Sequence, residues 1–441
     1  MKVLCVLAFA LCLLSVPIFG QIMAQTPPAP APIDNAPPVI TLQDAIARAK
    51  NNSPDYHAAL TDKGIAREDK VQAVAGLLPS VSYNAQYIYT KPVTGDMPRF
   101  IANNAVHEYI SQGNAHESLS GIDFANYRRA VALQDFAKAK AEIAARGLVV
   151  VVVQAYYGFV VSQRKYSTAQ QAADEASRFL DVSKKLENGG EVAHSDVIKA
   201  QLQYNDKQRD FRESRLAMEK ARVDLALLLF PDFNQNFSVV DDLRLPDALP
   251  PMEEVEKLAK QNNPDLAAAM AAFRAERMGV LAARAAYLPV VALDYNYGID
   301  ATHFALRTDG MNNLGYSASA ALTVPIWNWG ATRSKVKQSI LRRDQAKLEL
   351  TFAQRRLLGE LKTLYGEVDA ASAELDLLRQ SAQLAADSLR LTTLRYQGGE
   401  ATVLEVVDAQ NTLSAARNAY DDGEVRYRAA LASLQTLTGI L

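Results

Sequence analysis

The sequence predicts a mainly α-helical chain, laid out twice on one plan, with four membrane-type β-strands between long helices. Three observations predict it. Markers recur at a near-constant offset of about 210 residues, the signature of an internal repeat. After two Leu-Pro signals the hydrophobic period changes from helical to two. Residues 99–230 and 326–441 contain no proline, leaving room for helices about 98 Å long.

Composition sets the outer bounds. The 441 residues carry 47 Lys+Arg and 49 Asp+Glu, a net charge of -2, with no basic excess of the kind a nucleic-acid partner requires. At 49% hydrophobic and 22% charged, the chain can bury a large core. Its two cysteines are Cys5 and Cys12, so past the N-terminus there is no material for a disulfide, a thiol nucleophile or a cysteine-ligated metal. Lys2, the apolar run VLCVLAFALCLLSVPIF and Ala24 together predict a secretory signal peptide over 1–24. A retained anchor is the alternative; Pro17 and the short polar exit favour cleavage. Cys12 follows Leu11, which argues against a lipoprotein signal. Residues 25–39 read as an extended Pro-rich leader. No later stretch reaches 18 uninterrupted apolar residues, so any entry into a membrane must be made by strands.

The repeat is explicit. Ala49-Lys50, Asn52, Pro54-Asp55, Leu78-Pro79, Val81 and Tyr87 recur as Ala259-Lys260, Asn262, Pro264-Asp265, Leu288-Pro289, Val291 and Tyr297, and Gly189-Gly190-Glu191 recurs as Gly398-Gly399-Glu400. Residues 40–230 and 250–441 are therefore two copies, joined by a turn-rich linker over 231–249.

Each copy opens with a short helix. Thr41 and Asp44 form a capping box ahead of Leu42, Ala45, Ile46 and Ala49. A second helix runs over 54–78, matched by 264–287, and Pro79 and Pro289 end the pair. Next, Val81, Tyr83, Ala85, Tyr87 and Tyr89 alternate with small polar residues. Val291, Leu293, Tyr295, Tyr297 and Ile299 do the same in the second copy. Leu314 to Val324 gives the second copy a partner strand. The first-copy partner, around 105–120, alternates poorly and is placed by the repeat. Long helices follow over 123–187 and 332–396, then the glycine breaks, then helices over 192–230 and 401–438. The run Val149 to Val153 has strand propensity, but its helical flanks and its place in the repeat assign it to a helix. The helical share is about twice that of ordinary soluble domains.

The strands alone fit a soluble sandwich as well as a membrane barrel. Export, a strand length of about 16 residues, and too few other strands for a second sheet favour the barrel. Four strands cannot close one, and an open edge in lipid leaves backbone groups unpaired. Copies must pool their strands, as a dimer, trimer or tetramer. Trp327 and Trp329 flank the strand–helix junction, where indoles anchor at headgroup depth or simply pack the joint. Tyr87, Tyr89, Tyr295 and Tyr297 join them as candidate membrane-interface aromatics.

The order helix, Asn-Pro, helix, Leu-Pro, strands, long helix, glycine turn, helix resembles that of the TolC-like outer-membrane efflux proteins over nearly the whole chain. The most specific match is Arg395-Tyr396-Gln397-Gly398-Gly399 followed by Leu404-Glu405-Val406-Val407-Asp408-Ala409; Val324-Pro325-Ile326-Trp327 with Gly330 adds to it. The resemblance implies a homotrimer with a 12-stranded barrel in outer-membrane lipid and an α-helical barrel reaching into the periplasm. It also implies a periplasmic adaptor (membrane-fusion) protein and an inner-membrane pump as partners of a passive exit duct. The first copy departs from the pattern, with Leu186 in the place of Arg395 and His194-Ser195-Asp196 in that of Val403-Leu404-Glu405.

Candidate sites follow from that picture. Gly189, Gly190, Arg395, Gly398, Gly399 and Glu400 are candidates for adaptor docking at the tip, although glycine there also serves simply to end a helix. Gln380, Gln383, Asp387 and Arg390 form a polar stripe that threefold symmetry would present as rings gating the mouth, or else an ordinary solvated face. Leu377, Leu384 and Leu391 lie opposite at heptad spacing, as for helices packed side by side. The five scattered histidines show no metal-ligand spacing. No nucleotide-binding or nucleophile motif is present, so neither an enzyme nor a cofactor is expected. The rival function is an elongated periplasmic binding or spacer protein with a soluble sheet.

Overall fold

A computed structural model describes residues 37–90, 106–243 and 249–439, and the fold below is that of the unit beginning at Val39. The predicted signal peptide and nearly all of the leader lie outside the described residues.

The elements in chain order are β1 (Val39–Ile40), α1 (Leu42–Asn52), α2 (Pro54–Ala75), β2 (Ser80–Tyr89), β3 (His107–Leu119), α3 (Gly121–Asn188) and α4 (His194–Leu229). The second half runs β4 (Ser238–Val239), α5 (Met252–Asn262), α6 (Pro264–Ala285), β5 (Val290–Ala301), a short hairpin of β6 (Arg307–Thr308) and β7 (Met311–Asn312), β8 (Leu314–Thr323), α7 (Ala331–Gln397) and α8 (Val403–Thr438). Thr41 caps α1 in the predicted box: its hydroxyl accepts from Asp44 N–H, and the Asp44 carboxylate accepts from Thr41 N–H at 3.3 Å. Ser53 and Asn263 cap the prolines that begin α2 and α6.

Three expectations are corrected. The helices α2 and α6 end at Ala75 and Ala285, four residues before their prolines. A turn closed by Leu78 N–H to Ala75 O and Leu288 N–H to Ala285 O redirects the chain first. The four long strands have 10 to 13 residues, not about 16, and rise about 33–44 Å, which still spans an apolar band when tilted. The ends of the predicted leader and linker are built into the fold. Val39–Ile40 pairs in parallel with Ser238–Val239, and Phe230 and Phe237 are buried.

The main sheet has the order β2-β3-β5-β8, antiparallel throughout, with β2 and β8 as open edges among the described residues. The poorly alternating β3 lies where the repeat placed it, and its register carries both faces. Tyr83 stands opposite Gly113, which stands opposite Tyr297, which stands opposite Tyr316. Gly298 is dictated by space: a Cβ there would overlap the Ser111 carbonyl oxygen and lie 2.6 Å from Gln112 Cα.

Below the sheet the helices form one layer. Near the strands the neighbours run α2, α3, α6, α7; farther away α4 and α8 flank α3, and α7 lies beside α8. The five-valine run is helical. Val152 and Val153 join Tyr156, Phe159 and Val160 in a core with Leu225 and Leu229 of α4 and the segment after it. Each such side chain contributes about 1.5–3 kcal/mol by leaving water. The Tyr156 hydroxyl accepts from Val240 N–H at 3.1 Å and lies 3.1 Å from the Ile40 carbonyl oxygen, tying β1 and β4 to α3.

The apolar run ends at Arg164, a cation that sequence reasoning passed over. Its fork donates twice to Asp241 at 2.6 Å, and it also pairs with Glu424 and, at 3.6 Å, with Asp421. One guanidinium thus joins α3, α8 and the inter-repeat segment. Burial, with Glu424 adding to it and Arg164 opposing it, pushes the Asp421 carboxyl up to about 6. The unfolded carboxyl ionises near 4, so between about pH 4 and 6 the folded form holds more protons and stability falls as pH rises. Asp421→Asn is therefore expected to unfold no more easily than the parent at pH 7.5, with any advantage vanishing below pH 4. Arg164→Met, which strands the acids, is expected to cost about 2–4 kcal/mol. Thermal unfolding in detergent across pH measures both.

Candidate functional site

The site has two parts, a two-faced sheet and a helical tip. In the sheet, cross-strand register sorts every side chain. One face gathers Val81, Tyr83, Tyr87, Tyr89, Tyr109, Leu293, Tyr295, Tyr297, Tyr316 and Leu322, with His107 and Glu117 near its two rims. It is uncovered: Val81 is 81% exposed, Tyr316 75% and Leu322 65%. The other face carries Asn84, Gln112, Asn114, Asp294, Asn296 and Ser317, together with Glu108 and Asp300. On it His116 Nδ1 lies 2.6 Å from Asp294 and Asn296 donates to Ser317 at 3.3 Å. Such a sheet offers apolar surface to lipid and a polar wall to water.

The predicted aromatics divide by height. Tyr87 and Tyr89 stand at the rim far from the helices, where the Tyr87 hydroxyl bonds His107 Nδ1 at 2.7 Å; Tyr295 and Tyr297 stand at mid-strand. Trp327 and Trp329 stand at the helix rim, 75% and 90% exposed, edge to face with each other at 5.9 Å. Trp329 holds a left-handed backbone (φ 55°) just before Gly330, the N-cap of α7. Nothing among the described residues covers either indole enough to make it a packing residue.

The tip is made by the two glycine pairs. In each, the second glycine is left-handed (Gly190 φ 75°, Gly399 φ 76°). Two backbone bonds close each turn: Glu191 N–H to Leu186 O with Gly190 N–H to Glu187 O, and Glu400 N–H to Arg395 O with Gly399 N–H to Tyr396 O. The backbones match, but their braces differ. In the second turn Arg395 donates to Glu400 O at 3.0 Å and pairs with Glu405 at 3.5 Å, while Thr402 and Glu405 form a capping box for α8. The Thr402 hydrogen bonds, and then Arg395, hold the Glu405 carboxyl below its usual range. In the first turn Ala193 is the N-cap with no side-chain bond, and His194 pairs with Glu187 at 2.6 Å.

Tyr396, quoted in the sequence motif without a role, is buried. Its hydroxyl meets Ser183 of α3 at 3.1 Å and its ring lies 5.0 Å from that of Phe179. Above it Gln203 of α4 donates to Asn411 of α8 at 3.2 Å. Spacing alone did not single out Ser183, Gln203 or Asn411.

The polar stripe Gln380, Gln383, Asp387 and Arg390 is exposed on α7, with Asp387 and Arg390 3.9 Å apart. Arg390 also borders a groove of about 650 Å³ with Arg178 and Arg417. The leucines expected to pack side by side do not do so within the chain: Leu377, Leu384 and Leu391 are 65%, 69% and 51% exposed. The seam α7 turns to its neighbours is Leu375, Ala385, Leu389 and Tyr396, about a third of a turn away, leaving a second apolar seam uncovered.

Residues 255–440 match the family model for the outer membrane efflux protein. The chain is 22% identical over 405 residues to the outer membrane protein TolC of Vibrio cholerae, covering 91% of each. It is 22% identical to the alkaline protease secretion protein AprF of Pseudomonas aeruginosa, covering 91% of this chain and 84% of that one. Among solved structures it resembles the CmeC outer membrane channel of Campylobacter jejuni (TM-score 0.80, 17% identity, 90% and 85% covered). It also resembles the open-state MtrE outer membrane channel of Neisseria gonorrhoeae (TM-score 0.75, 20% identity, 90% and 88% covered). With its duplicated layout and its Arg395-Tyr396-Gln397-Gly398-Gly399 turn, the chain is similar over nearly its whole length to the TolC-like outer membrane efflux proteins, and its second copy matches their family model.

Proposed function

We propose that three copies of this outer-membrane exit duct close one 12-stranded barrel, and that their helices form the tube leading to it. The observation that carries the reading is the uncovered apolar face of a four-stranded sheet with two open edges. A soluble spacer would have to hide that face, and no second sheet lies on it among the described residues. Because β2 and β8 run in opposite directions, β8 of one copy against β2 of the next continues the antiparallel alternation. The helical layer has matching edges. The second leucine seam of α7 is exposed at one edge, and Ile65 of α2 with Ile198 and Leu202 of α4 are exposed at the other. The division into repeats at 40–230 and 250–441, with 231–249 between, belongs to this reading. So does removal of residues 1–24 on export.

The family is one of channels rather than enzymes, and its members serve in multi-component efflux and secretion systems. In our reading the duct is passive, and an adaptor protein docks at Gly189, Gly190, Arg395, Gly398, Gly399 and Glu400, coupling it to an inner-membrane pump. Gln380, Gln383, Asp387 and Arg390 line the mouth near the tip. Trp327, Trp329, Tyr87 and Tyr89 mark the two membrane interfaces, and Tyr295 and Tyr297 face the apolar band between them.

Three expected outcomes test the reading. If the polar face lines the pore, its acids and the absence of lysine and arginine from the four strands make the barrel prefer cations. Asp294→Asn should then lower the cation-to-anion permeability ratio in planar bilayers by about twofold, while Tyr316→Phe on the apolar face leaves it unchanged. An unchanged ratio in Asp294→Asn would mean the faces are assigned the wrong way round. At the tip, Arg395→Ala should speed amide exchange at Glu400 about tenfold without altering assembly, since the capped turn loses its side-chain brace. A photo-cross-linker at Glu400 should capture the adaptor more efficiently than one at Glu191, because only the second turn is so braced.

A further inference from the structure

The charges on the four long strands are all acidic, and the sign changes where the chain leaves the sheet. Over its first five turns, Ala331 to Lys347, α7 holds six cations against one acid, Asp344. Arg284 is the next-to-last residue of α6 and Arg128 the eighth of α3, so both stand within about 11 Å of the strands. Arg284, Arg333, Lys335, Lys337 and Arg342 are exposed and have no ion-pair partner among the described residues. Arg343, by contrast, is held by Asp344 at 2.6 Å.

The placement around the helix matters as much as the count. At 100° per residue, Arg333 and Lys337 project from one side of α7, and Lys335 and Arg342 from the other. Two of the four therefore face outward whichever side of the layer lines the tube. Just above them stand the exposed Ile326, Trp327 and Trp329. On one side Arg128 and Arg284 border a groove of about 590 Å³ between α3, α6 and α7, roomy enough for a headgroup. An apolar and aromatic ring followed within one to three turns by unpaired cations is the profile of a membrane interface whose lipids carry negative charge.

We propose that this collar binds the anionic headgroups of phospholipids in the leaflet that faces the helices. The inference rests on the outer-membrane reading above. The phosphodiester oxygens accept from the guanidinium and ammonium groups, and the flexible stems lie along the apolar ring above. Two outward cations per copy, repeated around the ring of copies, suit a lipid annulus, whereas a dissolved anion calls for cations converging on one point.

The test uses the full chain, extracted and exchanged into mixed phosphatidylethanolamine–phosphatidylglycerol nanodiscs, with native mass spectrometry counting the lipids that stay bound. The parent is expected to keep phosphatidylglycerol in preference to phosphatidylethanolamine. The combined variant R333Q, K335Q, K337Q and R342Q is expected to lose that preference by about fivefold or more. A control removing four cations toward the tip (K184Q, K185Q, K199Q and R209Q) should keep it. Equal retention of the two lipids by the parent, or an undiminished preference in the collar variant, would overturn the proposal, as would displacement of the retained lipid by millimolar inorganic phosphate. The mass of the assembly in the same spectra separates this failure from failure of the membrane reading, in which the parent itself would not enter the discs.

Discussion

Backbone hydrogen bonds that one chain cannot complete by itself govern this structure. Among the described residues the sheet ends on β2 and β8 with their outer donors and acceptors open, while its apolar face lies bare. In water such an edge invites indiscriminate pairing, and in hydrocarbon each unpaired group costs several kcal/mol. The proposed closure by sister copies would remove both problems together. The helical layer repeats the pattern at lower energy density: α7 satisfies one apolar seam within the chain and leaves the other exposed along a second edge.

Duplication gives the fold a common backbone that side chains then differentiate. Both tip turns use the same glycine geometry, yet one is locked by an arginine–glutamate pair and a threonine cap, the other by a histidine–glutamate pair alone. The same holds higher up. Arg164 of the first copy gathers Asp241, Asp421 and Glu424, so the segment between the copies is fastened to both. The repeats are alike where geometry demands it and unlike where a partner or a joint must be chosen.

Much of this was legible in the sequence, because the signals that fix these elements are local. A capping Thr41, prolines beginning α2 and α6, glycine pairs ending α3 and α7, and the two-residue period after Leu-Pro each act within a few residues of themselves. Strand β3 was legible only through the repeat, because His107 and Glu117 fall on its apolar face and Ile110 on its polar one; those faces are set by neighbours far away in the chain. The heptad leucines were legible as a seam but not by their partner, because periodicity shows that a helix has a seam, not which partner covers it. Tyr396 with Ser183, and Gln203 with Asn411, were invisible for the same reason, since residues some 210 apart meet only after folding.

The most direct measurement is the mass and strand contact of the detergent-extracted protein. With one cysteine replacing Ser82 on β2 and another scanned along β8 near Ser319, mild oxidation should link copies to one another. The covalent products should stop at three chains, matching the native mass of the detergent complex. A monomer that stays soluble without detergent and yields no inter-chain link at any β8 position would contradict the account.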